Sequence, residues 1–242
     1  VDMGVDHDLS GHPTIINRKI VNGTRNFLNE PAMSQQQMFQ ALNTGSELAE
    51  SCHTKGCNVL CLGEMGIGNT SPSSVWMSIW GNLPLSNCVG SGSGLNTEGE
   101  KHKLAILEQA VSNFKRQPLP HNDPVTIIQY FGGFEMVAAI GAMLRAAELR
   151  MIVLVDGFIM SACMLAASKL NPSVLDYAVF GHCGDESGHR QLLALMQAQP
   201  ILQLGMRLGE GTGALCAYPI IESSVRMINE MNNFKDANID KY

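Results

Sequence analysis

The sequence predicts an α/β protein built on a parallel, Rossmann-like sheet flanked by helices. Three observations carry this. Strand-like apolar runs alternate with helix-like runs from residue 58 onward. One of them, residues 151–155, is apolar at every position, as a central parallel strand buried on both faces must be. Each strand-like run also ends in a glycine-containing turn that carries a reactive group, namely Glu64, Asp156 or His182. In a parallel sheet such turns share one edge, the carboxyl end, where ligands bind.

In chain order, residues 1–5 form a short apolar run read as a strand, followed by an acidic loop at Asp6, His7 and Asp8. Those three read as a solvated turn; a metal would need further ligands to converge on them. Residues 17–19 and 24–26 supply basic and amide groups without periodicity, as a long ordered loop does. Residues 31–53 read as a helix: Ser34 and Gln37 fit a capping box, and Met38, Ala41, Leu42, Leu48 and Ala49 recur on one face. A strand at 57–62 puts Cys57, Val59 and Cys61 on one face, which predicts sulfurs in the core. A glycine turn at 63–71 leads into a helix at 73–80. A second Gly/Ser loop at 90–94 precedes Lys101, His102 and Lys103, which open a helix to about residue 114, and 118–124 is a proline-rich connector. Gly132, Gly133, Phe134 and Glu135 start a helix whose alanines at 138, 139, 142, 146 and 147 permit close packing. The strand at 151–155 is followed by a helix at 158–170, a strand at 177–180, a loop at 181–189 and a helix to 199. Residues 208–214 open a last helix, which runs to about 231.

The totals narrow the function. A 242-residue chain that is 45% hydrophobic and 16% charged is globular, with a formal charge of −6 that disfavours nucleic acid or an anionic membrane as partner. The expected ligand is small. The apolar stretches at 151–155 and 158–167 end well short of the roughly 20 residues of a membrane helix. No charged leader precedes an apolar segment, and the seven cysteines are scattered and odd in number, so reduced thiols and a cytoplasmic location are expected. The start at Val1, without Met, suggests a missing upstream portion.

Residues 63–71 are the most informative stretch. Gly63, Gly66 and Gly68 let backbone N–H groups approach a ligand, and the start of the helix at 73–80 adds partial positive charge. That combination suits a phosphate. The stretch lacks the lysine of a P-loop and the acidic strand end of a dinucleotide fingerprint, so an ordinary strand-to-helix turn stays open as the alternative. Glu64 would repel a phosphate and is expected to face another part of the ligand. Gly90, Gly92 and Gly94, with Lys103 behind them, offer amides and a cation from the other side; a flexible linker before a solvated basic turn is the alternative. Glu210, between Gly209 and Gly211 at a helix start, has room to meet a ligand, unless it is there for the helix dipole alone. His182, Cys183, Asp185 and His189 are four zinc-type ligands in one loop, but structural zinc sites draw pairs from two segments, so no metal is expected and His189 is read as helix-capping or exposed.

Residues 63–71, 132–135, 154–158 and 208–213 together resemble the nicotinate-nucleotide-dimethylbenzimidazole phosphoribosyltransferase family, which makes the lower-ligand nucleotide of cobamides. Residues 6–8, 16–19 and 23–27 resemble it too, and the matches run in family order from about residue 1 to 234. The resemblance implies a large α/β nucleotide-binding domain over 1–213, with 214–242 as a C-terminal helical segment contributing to a small helical domain, in a dimer. It implies transfer of phosphoribose from nicotinate mononucleotide to 5,6-dimethylbenzimidazole, giving α-ribazole 5′-phosphate and nicotinate. No cofactor or metal is implied, since the cationic pyridinium departs neutral. Glu210 matches the family's general base and Glu64 a second carboxylate that offsets charge on an oxocarbenium-like sugar. Gly66, Gly68, Asn69, Gly90, Gly92, Gly94, Lys103, Asp156, His182, Leu208 and Gly209 fall on substrate-binding positions.

The sequence departs from the family in three ways. The N-terminal segment that supplies most of the aromatic-base pocket is expected to be missing, and part of the small domain with it. Ser71, Pro72, Ser73 and Ser74 stand where alanine-rich helix residues are usual, and Gly181 stands where a serine is common. Two other readings therefore stay open: a paralogue that works in a heterodimer on another acceptor such as a phenol, and a nucleotide-binding subunit without turnover.

Overall fold

The computed structural model describes residues 1–92, 94–207 and 209–232 of the chain. Three strands, β1 (Val59–Leu62), β2 (Ile152–Val155) and β3 (Ala178–Phe180), form one parallel sheet in that spatial order. Val59 pairs with Ile152 and Leu62 with Val155, while Val155 also pairs with Phe180, so all three strands end level. Val153, Leu154 and Val155 are buried, as expected of the central strand.

Eight helices surround the sheet in the described residues: α1 (Gln35–Thr54), α2 (Thr70–Gly81), α3 (Thr97–Arg116), α4 (Pro124–Phe131), α5 (Phe134–Glu148), α6 (Phe158–Leu170), α7 (His189–Leu195) and α8 (Thr212–Glu230). The capping box that starts α1 is present: Gln37 N–H donates to Ser34 Oγ, and Ser34 N–H donates to Gln37 Oε1. The small residues of α5 do let a neighbour close in. A Cβ on Gly141 would overlap the Leu42 carbonyl, and one on Gly45 would overlap that of Ala138, so α1 and α5 cross backbone against backbone. Phe114 of α3 packs against Tyr130 and Phe131 of α4, with ring centroids 4.8 and 5.1 Å apart.

Several expectations are corrected. Residues 1–5 form no strand; Asp2 makes an isolated bridge to Asn17, and Val1 and Val5 are exposed. Cys57 is exposed and Cys61 only half-buried, because β1 lies at the sheet's edge rather than inside it. Helix α3 begins four residues before Lys101, with Asn96 Oδ1 accepting the Gly99 N–H as its cap. Helix α4 was not expected; Asp123 caps it and Pro124 occupies its first turn, where a proline lacks nothing. Helix α7 stops at Leu195.

Candidate active site

The sheet sets the site. Glu64 follows the end of β1 by two residues, Asp156 follows β2 directly, and His182 follows β3 by two, so all three sit at the carboxyl edge as expected. They line one cavity of about 720 Å³, together with Gly66, Gly68, Asn69, Gly92, Lys103 and Gly209. Gly90 is not part of the lining, but its carbonyl accepts a hydrogen bond from Lys103 Nζ at 3.2 Å. Gly94 and Glu210 do not line it: Gly94 is exposed in the loop, and Glu210 is exposed beside the cavity-lining Gly209. Leu208 lies outside the described residues.

One part of the cavity lining carries a cation, Lys103. The Lys103 ammonium meets the start of α2, where it donates to Thr70 Oγ1 at 2.8 Å, while the Ser71 N–H is engaged by the Gly68 carbonyl and Pro72 has no N–H. Burial pulls the Lys103 pKa below its ordinary value, and Glu186 and Glu100 oppose that shift. Gly92 N–H points into the same corner and donates to Glu186 Oε1 at 3.1 Å. Thr70 and Glu186 were not singled out in the sequence; Glu186 reaches across 94 residues of chain, which no local pattern records.

Elsewhere in the lining Glu64 is held by its neighbours. Its Oε2 accepts the Gly66 N–H at 2.7 Å and an N–H of the Asn69 side chain. Asn69 is buried, and its amide also donates to Glu135 Oε1 at 3.1 Å, so its amide hydrogens serve carboxylates rather than a substrate. Met65 and Ile67, in the same turn, are 81% and 103% exposed, which leaves apolar surface at the cavity mouth.

Asp156 organises the third side. Its Oδ2 accepts the Gly211 N–H at 3.1 Å and its Oδ1 accepts the Ala214 N–H at 3.0 Å, so a buried carboxylate caps α8. Immediately before the first of these anchors Glu210 takes a left-handed backbone with φ of 66°. A non-glycine residue there costs on the order of 1–3 kcal/mol and persists only where its surroundings enforce it. Gly63 lies directly beneath, and a Cβ on it would overlap the Glu210 carbonyl group.

His182 is buried, with Nε2 3.6 Å from Asp156 Oδ1, and neither ring nitrogen has a hydrogen-bond partner among the described residues. A Cβ on Gly213 would overlap its ring. His189 is neither exposed nor capping. It is buried, its Nδ1 accepts the Gly184 N–H at 2.9 Å, and its Nε2 lies 3.1 Å from Ser161 Oγ. Burial, with His182 beside it, lowers its pKa from 6.5 to about 4. Asp185 turns outward to Arg207 at 2.8 Å, away from the two buried histidines.

Two of the three departures from the family pattern, at 71–74 and at Gly181, have a local account. Ser73 Oγ donates to the Asn69 carbonyl at 2.9 Å, and Ser74 Oγ lies within hydrogen-bond reach of the Thr70 and Cys88 carbonyls, which satisfies these hydroxyls inside a buried helix start. Gly181 lets the first turn of α8 approach β3, since a Cβ there would sit 2.8 Å from the Ala214 Cα.

A parallel α/β sheet with a lysine, a histidine and carboxylates gathered round one cavity at its carboxyl edge places the chain in the Rossmann-like class of enzymes. Comparison with known proteins gives the family. Residues 1–239 match the phosphoribosyltransferase family, and this chain belongs to it. A nicotinate-nucleotide-dimethylbenzimidazole phosphoribosyltransferase of Bacteroides fragilis is 57% identical over 242 residues, covering 100% of this chain and 69% of the relative. One of the same name from Janthinobacterium is 45% identical over 241 residues, again covering 69% of the relative. The crystal structure of CobT from Thermus thermophilus matches with a TM-score of 0.92 at 33% identity, covering 100% of this chain and 71% of that one.

Proposed function

We propose that this chain moves the 5-phosphoribosyl group of nicotinate mononucleotide to 5,6-dimethylbenzimidazole, giving α-ribazole 5′-phosphate and nicotinate. The observation that carries the reading is one cavity at the carboxyl edge of the sheet whose lining brings together the Lys103 ammonium, held at Thr70, and the Glu64 carboxylate. The phosphate is taken up by Lys103 and Thr70 at the start of α2, and displaces Glu186 from the Gly92 N–H. The sugar then lies along Gly66 and Gly68 toward Glu64, Asp156 and His182, with Gly90 and Gly94 in the surrounding loop.

Glu210 accepts the azole proton as the ring nitrogen attacks C1′ from the face opposite nicotinate. The C1′–N bond to nicotinate breaks, its electron pair returns to the pyridinium nitrogen, and the configuration at C1′ inverts. Glu64 offsets positive charge on the sugar as the bond stretches. The strained Glu210 backbone and the two Asp156 anchors beneath it support that role, because strain of this kind is kept where a side chain must be aimed. Met65 and Ile67 give an aromatic ring an apolar surface to lie on.

The division into an α/β domain over 1–213 and a C-terminal helical segment over 214–242, a dimer, and a cytoplasmic site of action all belong to this reading. A second reading is a subunit that completes its acceptor pocket with a homologous partner. It is favoured by α8, where Val225, Met227 and Ile228 are exposed, Ile228 to 84%. Incubation with nicotinate mononucleotide and 5,6-dimethylbenzimidazole, following α-ribazole phosphate, tests both. Product that vanishes in Glu210→Gln while the donor still binds supports the transferase. Product only after a homologous partner is added supports the subunit, and turnover unchanged in Glu210→Gln would remove Glu210 as base.

A further inference from the structure

Glu135 belongs to a motif of the sequence for which the transfer chemistry above has no use, yet its carboxylate is set as carefully as that of Glu64. Asn69 lies between the two. One N–H of its side-chain amide donates to Glu64 Oε2 and Glu135 Oε1 accepts from the same nitrogen at 3.1 Å, while Glu64 Oε2 also takes the Gly66 N–H at 2.7 Å. A primary amide has two hydrogens, and this arrangement uses both. The site is shaped for it by glycines of two distant motifs. A Cβ on Gly66 would lie 2.6 Å from Glu135 Oε1, and one on Gly133 would lie 2.8 Å from both Glu135 oxygens. Glu135 therefore fills the space that the absence of side chains at 66 and 133 leaves open.

We propose that Glu135 is a positioning residue for phosphoribosyl transfer: by taking the second amide hydrogen of Asn69 it fixes the rotamer of Asn69, which in turn aims the Glu64 carboxylate at the sugar. The inference rests on Glu64 facing the sugar as proposed above. Asn69 alone is free to turn its amide over, presenting an oxygen to Glu64 and repelling it; an acceptor on its far side excludes that flip, since both carboxylates then demand N–H. Burial raises the Glu135 pKa, and the charge of Glu64 raises it further against the opposing effect of Asn69. A neutral acceptor at this position, as in Glu135→Gln, still takes the amide hydrogen through its carbonyl. Shortening the side chain, as in Glu135→Asp, withdraws the acceptor.

The test compares Glu135→Gln, Glu135→Asp and Glu135→Ala with the unaltered chain and with Glu64→Gln, in donor titrations and in the ribazole phosphate assay. Glu135→Ala and Glu135→Asp are expected to lower kcat by about 10- to 100-fold with the donor KM within about threefold, the size of loss that a misplaced reacting group gives. Glu135→Gln is expected to stay within about threefold of the unaltered chain, because the amide contact survives. In the Glu64→Gln background, Glu135→Ala should add nothing, since a residue acting through another has no effect once that other is gone. A crystal structure of Glu135→Asp should show Glu64 displaced from the Gly66 N–H and the Asn69 amide turned. Glu64 and Asn69 unmoved in that crystal, or a loss that adds fully to that of Glu64→Gln, would overturn the proposal. If the unaltered chain gives no ribazole phosphate, the transfer reading fails by itself, and the crystal comparison still decides whether Glu135 aims Glu64.

Discussion

Asp156, at the end of the central strand, accepts the Gly211 N–H at 3.1 Å and so fastens the turn that carries Glu210 to the sheet. Its second oxygen accepts the Ala214 N–H at 3.0 Å, so one buried side chain holds two N–H groups at the start of α8. Asp156→Asn presents an NH₂ to one of these two N–H groups and removes the charge that strengthens the other bond. The expected cost is about 2–4 kcal/mol of stability, from two hydrogen bonds to a charged group at roughly 1.5–3 kcal/mol each, partly retained by the amide. Urea unfolding checks it; a change under about 0.5 kcal/mol would mean that Asp156 does not hold the turn.

Gly63 sits against the same turn from the β1 side. Because a Cβ there would overlap the Glu210 carbonyl group, Gly63→Ala must push the turn outward or distort the strand end. Overpacking of this kind costs about 1–3 kcal/mol. Transfer is expected to fall much further than stability, by about 100-fold, since a displacement of 1 Å at a reacting group has that effect. Parallel thermal melts and product assays separate the two, and equal, modest changes in both would show that Glu210 tolerates the shift.

Lys103 makes a prediction about pH. Its charge is present below its pKa and is lost as pH rises through it, and burial places that pKa below the ordinary 10.5. Donor affinity that depends on the ammonium should therefore decline on the alkaline side sooner than an exposed lysine would cause. Lys103→Met should weaken nicotinate mononucleotide binding by about 10- to 100-fold, equivalent to roughly 1.5–3 kcal/mol for a hydrogen bond to a charged group, and should abolish the alkaline decline. Calorimetric titration across that range checks both. An alkaline decline that persists in Lys103→Met belongs to another group.

How much of this was legible from the residues alone follows from how local each cause is. The α1 capping box, the fully apolar β2 and the start of α6 after Gly157 are written in adjacent residues, and the carboxyl-edge grouping of Glu64, Asp156 and His182 follows from parallel topology. Helix α4 was hidden because its Asp123 and Pro124 signal stands in a proline-rich stretch and only eight residues follow before Gly132 and Gly133. The tasks of Glu135 and Glu186 were hidden because their partners lie 66 and 94 residues away. Cys57 and Cys61 alternate as core residues do, yet β1 is an edge strand, and its position in the sheet is set by pairing that the pattern does not encode.

His189 shows the same limit and leads to the last prediction. Its loop reads as solvent-facing, but the ring is buried against α6, with Ser161 and the Gly184 N–H as partners. Since Nδ1 accepts from Gly184, the proton of the neutral ring is on Nε2, which donates to Ser161 Oγ. A second proton would sit on Nδ1 and break the Gly184 bond, which is the structural side of the lowered pKa of about 4. The sign for stability follows. Above pH 6.5 the ring is neutral both folded and unfolded, and it contributes no pH dependence. Between 6.5 and about 4 the unfolded chain binds a proton that the folded chain refuses, so stability falls with pH, by on the order of 3 kcal/mol in all for a fully populated shift. His189→Asn keeps an acceptor for Gly184 without a titrating ring. It should start from lower stability, because it leaves Ser161 unpartnered and a small cavity, but its stability should decline less steeply from pH 6.5 to 4 than that of the unaltered chain. Urea unfolding at several pH values in that interval measures the two slopes, and identical slopes would assign the acid sensitivity to other groups.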